Sequence, residues 1–282
     1  MPTPLQFRSI GQGQPLVLLH GWGVNSGVWQ PLAEKLSKSY QVITLDLPGF
    51  GVNVNNTISP YSLMQVSKLI VESIGTSAVY IGWSLGGLVA SNIAINYPDK
   101  VQGLVTVASS PCFLESSFIE KRSIEKGLVE QTENSQVWPG IKPEVLTMFH
   151  QQLSDNIKKT LDGFLRIQAM GSPHIRHDIK QLRDLIMVSP IPSKTTLEQS
   201  LQLLSSEDLR ADLSKITAPF LRLYGKLDGL VPKTAITCIN DLSPNSDYYI
   251  FNKASHAPFI SHLDEFSEQL LLWLNNHICT RH

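Results

Sequence analysis

Gly82-Trp83-Ser84-Leu85-Gly86 reads G-x-S-x-G between an apolar run at 78–82 and a helix-length segment at 85–97. That context gives the pentapeptide its meaning. A serine on a sharp strand-to-helix turn has a strained backbone, glycines on either side remove Cβ clashes, and its hydroxyl stands at a helix N-terminus. A glycine-rich turn without chemistry would show the same five letters, but it does not require a strand before and a helix after. Ser84 is the candidate nucleophile. Gly87 adds another small residue where that helix must approach the sheet.

Working outward, similar apolar runs recur at 16–20, 42–46, 104–108, 220–224 and 248–251. Strands buried on both faces read this way, because helices cover each side of a parallel sheet. Helical periodicity at 29–39, 62–74 and 85–97 fills the gaps and predicts an α/β class with a mostly parallel, doubly wound sheet. The alternation stops after Pro111. From 112 to 209 the pattern is largely helical, punctuated by Pro139, Pro143, Pro173, Pro190 and Pro192, and strand character returns at Phe220. A block this long is no ordinary connection. It predicts a helical cap, 112–209, inserted into a core of 1–111 and 210–282 and folded over the carboxyl edge of the sheet, where such sheets hold ligands. Its first part, 113–137, is polar and charged and is expected to be a mobile flap. A helix with an apolar stripe at 263–276 closes the core.

The run at 16–20 ends in His20-Gly21-Trp22-Gly23, a backbone able to turn sharply beneath the nucleophile. Acyl transfer needs two pre-aimed N–H donors for the developing oxyanion. Leu85, after the serine, is expected to supply one and Trp22 the other, with the Trp22 side chain walling the acyl pocket. The remaining partners follow in the order serine, acid, histidine. Asp228 lies in Gly225-Lys226-Leu227-Asp228-Gly229 directly after a buried strand, and His256 lies on the loop after the last strand. A surface Asx-turn would account for Asp228 alone. The order and spacing of all three favour a Ser84–His256–Asp228 triad on an α/β-hydrolase fold. Its chemistry is ester hydrolysis through an acyl-enzyme, with His256 as general base and Asp228 holding one tautomer. A serine at 84 argues against the dehalogenase and epoxide hydrolase branches, which use aspartate there.

Other candidates read as structural. His20 precedes the nucleophile at a strand end and is expected to hydrogen-bond backbone. Asp46 supports the turn Asp46-Leu47-Pro48-Gly49-Phe50-Gly51, and His262 opens the last helix. His174 and His177 have no carboxylate or cysteine cluster beside them, so no metal is expected. Cys112, Cys238 and Cys279 are odd in number and widely spaced, which fits free thiols in a reducing, cytoplasmic setting. A polar N-terminus without the charged and apolar regions of a signal peptide agrees. No apolar run reaches the ~18–20 residues of a membrane span. Hydrophobic residues at 42% provide a large core, while a net charge of −1 leaves no global field to draw nucleic acid or a membrane.

Longer stretches carry a more specific likeness. DLPGFG at 46–51, GWSLGGLVAS at 82–91, VTVASSPCF at 105–113, WPGIKP at 138–143, HQQLSD at 150–155, FLRLYGKLDGLVP at 220–232 and the run from Ser246 to His262 span nearly the whole chain. Together with HGWG at 20–23, they resemble the pimeloyl-acyl-carrier-protein methyl ester esterases of biotin synthesis. His150 departs from that pattern at the first position of its stretch. The segment 114–137 is longer and more charged than the family would have it.

The resemblance implies a cofactor-free carboxylesterase that removes a methyl group from a carrier-bound acyl chain. It implies a substrate pocket of Trp22, Ser84, Leu85 and His256 with the cap residues Phe164, Leu165, Arg166, Ile167 and Gln168. For Phe164, packing in the cap core is the alternative. A transient acyl carrier protein is the implied partner of a monomer. Lys158, Lys159, Arg166, Arg176, Lys180 and Arg183 outnumber Asp162 and Asp178 on the cap, so carrier docking is expected there. A solvated helical face is the commoner explanation of such charges, and docking there rests mainly on the resemblance. Three other readings stay open: a broad short-chain carboxylesterase, a carbon–carbon bond hydrolase, and a non-catalytic ligand-binding receptor.

Overall fold

A computed structural model describes residues 3–118 and 136–278 of the chain. Most of the expected flap, at 119–135, and Cys279 lie outside the described residues. The strands are β1 (Phe7–Ile10), β2 (Pro15–Leu19), β3 (Gln41–Leu45), β4 (Ala78–Trp83), β5 (Val101–Val107), β6 (Ser116–Phe118), β7 (Gln136–Trp138), β8 (Phe220–Gly225) and β9 (Asp247–Phe251). The helices are α1 (Gln30–Leu36), α2 (Leu63–Ile74), α3 (Leu85–Asn96), α4 (Pro143–Asp155), α5 (Ile157–Ala169), α6 (Ile175–Ile186), α7 (Lys194–Ser206), α8 (Lys233–Leu242), α9 (Pro258–Ser261) and α10 (Leu263–His277).

Seven strands form one sheet in the order β1-β3-β2-β4-β5-β8-β9, parallel throughout except for β1 against β3. Alternate residues of each central strand enter different cores. Val17, Leu19 and Tyr80 share one apolar cluster with residues of α2, α3 and α8, whereas Leu16, Leu18 and Ile81 share the other with residues of α1 and α10. Each fully buried Val or Leu contributes about 1.5–3 kcal/mol of transfer free energy, which explains why these runs are almost wholly apolar.

Sequence also sets the helix ends. Ser62 accepts from the Gln65 N–H at 3.3 Å to start α2, and Gly75 ends it in the left-handed region at φ 74°. Asn156 starts α5 and Ser193 starts α7 in the same manner, accepting at 2.9 and 3.1 Å.

Three differences from the sequence expectation have physical reasons. The helix expected at 29–39 begins instead as a 3-10 turn, Ser26–Trp29, capped by Asn25, and its α-helical part is Gln30–Leu36. The edge strand β1 was not expected, since FRSI is short, mixed in polarity and wholly exposed. The largely helical stretch after Pro111 also contains the small antiparallel pair β6–β7.

The chain reverses its direction of winding at β2. It passes to β3 on one side and then to β4 on the other, and ligands collect at such a switch point. Register brings the ends together: Leu19 pairs with Gly82, Trp83 with Val107, Val107 with Leu223 and Gly225 with Phe251. The loops leaving β2, β4, β8 and β9 therefore share one edge. Helices α4–α7, between β5 and β8, lie against that edge. The Trp22 indole N–H donates to the Leu197 carbonyl at 3.0 Å, and Asn25 Nδ2 donates to the Ile186 carbonyl at 2.9 Å. The ends of this insertion meet where Leu209 N–H donates to the Pro111 carbonyl at 2.8 Å.

Candidate active site

Ser84 stands between β4 and α3 with φ 54° and ψ −117°, a conformation costly to any residue with a Cβ. The surroundings enforce it. A Cβ at Gly82 would collide with the Gly86 carbonyl, and one at Gly86 with the Leu19 carbonyl, so helix and strands approach only because both are glycine. Ser84 N–H donates to Val107 O at 2.9 Å, while its carbonyl accepts from the Ser109 hydroxyl at 2.8 Å and from Gly87 N–H at 2.9 Å. Ala108, beside Ser109, also has positive φ, at 46°. The strain is thus concentrated at the ends of β4 and β5.

Asp228 divides its carboxylate between two tasks. Oδ1 accepts from the N–H groups of Leu230 and Val231 at 2.8 and 3.1 Å, which closes an Asx-type turn. Oδ2 lies 2.8 Å from His256 Nδ1, and both side chains are fully buried. The turn and the pairing, alternatives in the sequence, coexist. With Nδ1 donating to the carboxylate, the other ring nitrogen carries the lone pair. That nitrogen, Nε2, is buried and has no hydrogen-bond partner among the described residues. Structure therefore joins Asp228 to His256 directly, while the serine–histidine hydrogen bond is not formed. Such bonds often tighten only around a bound substrate.

The histidine backbone is fixed at both ends. Its carbonyl accepts from the Trp83 indole N–H at 2.7 Å, and its N–H donates to the Gln168 carbonyl at 3.2 Å. Sequence reasoning missed both partners. Trp83 was visible only as a variable letter of the pentapeptide, and a main-chain carbonyl has no signature at all.

The turn after β2 approaches the serine so closely that a Cβ on Gly21 would lie 3.2 Å from the Ser84 Cβ. Neither the Trp22 nor the Leu85 N–H is engaged by another group among the described residues. Leu85 opens α3, where N–H groups have no partner within the helix and the helix dipole is positive. These two donors are available to an anion. His20 is not a free base: Nδ1 donates to Gly21 O at 2.8 Å and Nε2 accepts from Leu47 N–H at 3.0 Å. Burial depresses its pKa below the usual histidine value, against the opposing pull of Asp46. Asp46 itself binds the N–H groups of Ser26 and Val52 at 2.6 and 2.8 Å. His174 and His177 are exposed, and Cys112 is buried, its thiol pKa raised chiefly by desolvation.

Of the five cap residues expected to touch substrate, Phe164 meets Trp22 edge-on, with ring centroids 4.7 Å apart, and is buried with it. Leu165 is buried and lines a cavity with Gly23, Val24 and Leu161, Ile167 is half-buried, and Arg166 is exposed. Gln168 is fully buried, yet neither atom of its side-chain amide finds a partner among the described residues. Lys158, Lys159 and Arg166 line a groove of about 460 Å³ with Gln152, Asn156 and Asp162. Arg183 pairs with Asp162 at 2.9 Å and Lys180 with Asp184 at 3.6 Å, whereas Arg176 is exposed. A second cavity of about 280 Å³ runs from Gly23 and Leu161 to Met187 and Ile191.

A parallel sheet wound in this order, with a strained serine after β4 and a buried acid–histidine pair on the loops after β8 and β9, defines an α/β hydrolase. The family model for the α/β hydrolase fold matches residues 14–263. An esterase from Exiguobacterium antarcticum shares the fold with a TM-score of 0.79 at 22% identity, covering 96% of this chain and 95% of that one. The pimeloyl-acyl-carrier-protein methyl ester esterase of Shewanella oneidensis is 45% identical over 273 residues, 96% of this chain and 95% of the relative. That of Aliivibrio fischeri is 41% identical over 277 residues, 98% of this chain and all of the relative. The chain belongs to the family of pimeloyl-acyl-carrier-protein methyl ester esterases.

Proposed function

We propose that this enzyme hydrolyses the methyl ester at the free end of a pimeloyl chain carried by acyl carrier protein, releasing methanol and the terminal carboxylate. The observation that carries the reading is the 2.8 Å contact between Asp228 and His256 Nδ1, which suits the tautomer with its lone pair on Nε2, in a member of this esterase family. On this reading Ser84 Oγ attacks the ester carbonyl as Nε2 takes its proton. The N–H groups of Leu85 and Trp22 hold the tetrahedral oxyanion, a stabilisation worth about 3–4 kcal/mol per donor in comparable sites. His256 then protonates the departing methoxide. Water attacks the acyl-enzyme by the same route, and Ser84 leaves with the proton from His256.

Such a substrate presents a thioester at one end and a methyl ester at the other. Segment 112–209, read as a cap over the core of 1–111 and 210–282, provides the discrimination. The acidic carrier docks outside, near Lys158, Lys159, Arg166 and Arg176, and only the far end of the chain reaches Ser84. Lys180 and Arg183 have carboxylate neighbours and contribute less. Phe164 and Gln168, beside Trp22 and His256, are the cap residues assigned to the chain itself; Leu165 and Ile167 pack the helix, and Arg166 faces the carrier. The enzyme works as a cytoplasmic monomer with a transient partner.

The test is methanol release from pimeloyl-carrier methyl ester beside hydrolysis of p-nitrophenyl acetate. A kcat/KM for the carrier ester at least about 10²-fold above the small ester supports the reading. Cleavage of the small ester alone leaves a short-chain carboxylesterase and removes the carrier.

A further inference from the structure

We propose that Ser255 is a positioning residue for His256, tying the histidine loop to the C-terminal end of α5. This rests on the reading of His256 as general base. The last carbonyls of a helix have no partner within it, and a buried carbonyl left unpaired is costly. At the end of α5, Ile167 O and Ala169 O accept from the N–H groups of Met170 and Ser172, and the histidine loop serves Gln168 O and the carbonyl of the capping Met170. The Ser255 hydroxyl lies 2.6 Å from Met170 O and 3.1 Å from Gln168 O, and His256 N–H donates to Gln168 O at 3.2 Å. Ser255 is buried, and one hydroxyl proton serves mainly the nearer carbonyl.

The same loop is held from its other side by the core. Ala254 O accepts from Leu227 N–H at 2.9 Å, and a Cβ on Gly225 would collide with Ser255 O. Trp83 holds the His256 carbonyl. The acid turn and the histidine loop thus form one unit, and Ser255 provides its shortest hydrogen bond to the inserted helices. Without that hydroxyl, the His256 N–H bond at 3.2 Å is the one hydrogen bond left between the end of α5 and the loop among the described residues.

Two consequences follow for catalysis. The imidazole must keep one orientation to serve Ser84 and then the leaving group, and a small displacement of a catalytic group costs rate rather than affinity. The C-terminal end of α5 is also the negative end of its dipole, which favours the imidazolium formed as Ser84 attacks. Ser255 keeps that end against the loop. α5 also carries Lys158, Lys159 and Arg166 on its exposed side, so a carrier seated there bears on the helix that steadies the base.

Ser255→Ala and Ser255→Thr are compared with the wild-type protein on p-nitrophenyl acetate, with His256→Ala in parallel. A small ester keeps the result independent of the carrier. The expected result for Ser255→Ala is a fall of about five- to tenfold in both kcat and kcat/KM with KM unchanged, the pattern of an interaction realised in the transition state. The downfield proton resonance of His256 Nδ1–H broadens in the same variant, and Ser255→Thr, which keeps a hydroxyl, recovers most of the rate. Unchanged or increased kcat in Ser255→Ala overturns the proposal, as does a loss that matches a reduced folded fraction. If His256→Ala retains hydrolysis, the base assignment falls and this proposal with it. If His256→Ala abolishes hydrolysis while Ser255→Ala matches wild type, only the tie to α5 falls.

Discussion

The carboxyl edge of the sheet and the helices lying across it are built on different terms. At the edge, strand register and glycine contacts leave each functional group one place to go: Ser84 is 2% exposed and His256 0%. Across it, α5 and α6 present cations and apolar side chains to solvent, and Val188, just beyond α6, is 87% exposed. The first region is specified by backbone geometry that few sequences satisfy. The second is specified by surface chemistry that many satisfy. The proposed function gives bond-making to the edge and choice of substrate to the helices across it, and each half of that division can be broken separately.

The largest expected effect belongs to the edge. Ser84→Ala removes the proposed nucleophile and should lower kcat on any ester by on the order of 10⁴- to 10⁶-fold, with the melting temperature little changed. Activity surviving above that level on a purified, folded sample would take the chemistry away from β4 altogether. Asp228→Asn comes next. Asparagine keeps an oxygen for the N–H groups of Leu230 and Val231, so the turn survives. Its amide faces His256 Nδ1 as a donor and forces the ring proton onto Nε2, where a base needs its lone pair. A loss of about 10³- to 10⁴-fold in kcat at neutral pH is expected, read by stopped assay beside a thermal melt. A drop in melting temperature with little loss of rate would make Asp228 a turn residue only.

The same division explains what could be read from the chain. Strands such as 78–82 must be apolar on both faces, and a nucleophile turn must have glycine where helix and strand touch, so both left marks in the sequence. The partners of His256 left few. Gln168 and Met170 act through carbonyls, and the acceptors of Ser255 lie 87 and 85 residues away. Arg222 was hidden inside an apolar run. It is buried in β8, donating to Ser246 Oγ at 2.9 Å and Asn240 Oδ1 at 2.8 Å beneath the Tyr248 ring. The edge strand β1 escaped because it needs no apolar face. In the insertion, Phe164 was weighed as either core or pocket. It packs against Phe149 on one side and Trp22 on the other, so a helical apolar residue there serves the core without losing contact with the site.

The insertion is broken by charge. Lys159 and Arg176 are exposed, and neither makes an ion pair among the described residues. Lys159→Glu with Arg176→Glu should reduce kcat/KM for a carrier ester about tenfold relative to the small ester, with the deficit shrinking as salt screens the charges. Equal ratios in both proteins, measured from low to moderate salt, would move docking off this face and leave the division without its second half.

The smallest effect sharpens the boundary within the edge itself, between a histidine that reacts and one that holds. His20 is locked by Gly21 O and Leu47 N–H, and burial lowers its pKa from 6.5. Below 6.5 the unfolded chain takes up a proton that the folded chain resists, so this group's share of stability is complete above that pH and declines as pH falls through it. His20→Gln loses the hydrogen bonds but also the titration. The variant should unfold earlier in denaturant at pH 7.5, by an amount on the order of 1–2 kcal/mol, and the gap to wild type should narrow at pH 5.5. A gap equal at both values would show that His20 titrates alike in folded and unfolded chains. On the proposed mechanism His20 takes no part in proton transfer, so the pH profile of hydrolysis should keep its shape in His20→Gln; a profile that moved would bring His20 into the chemistry.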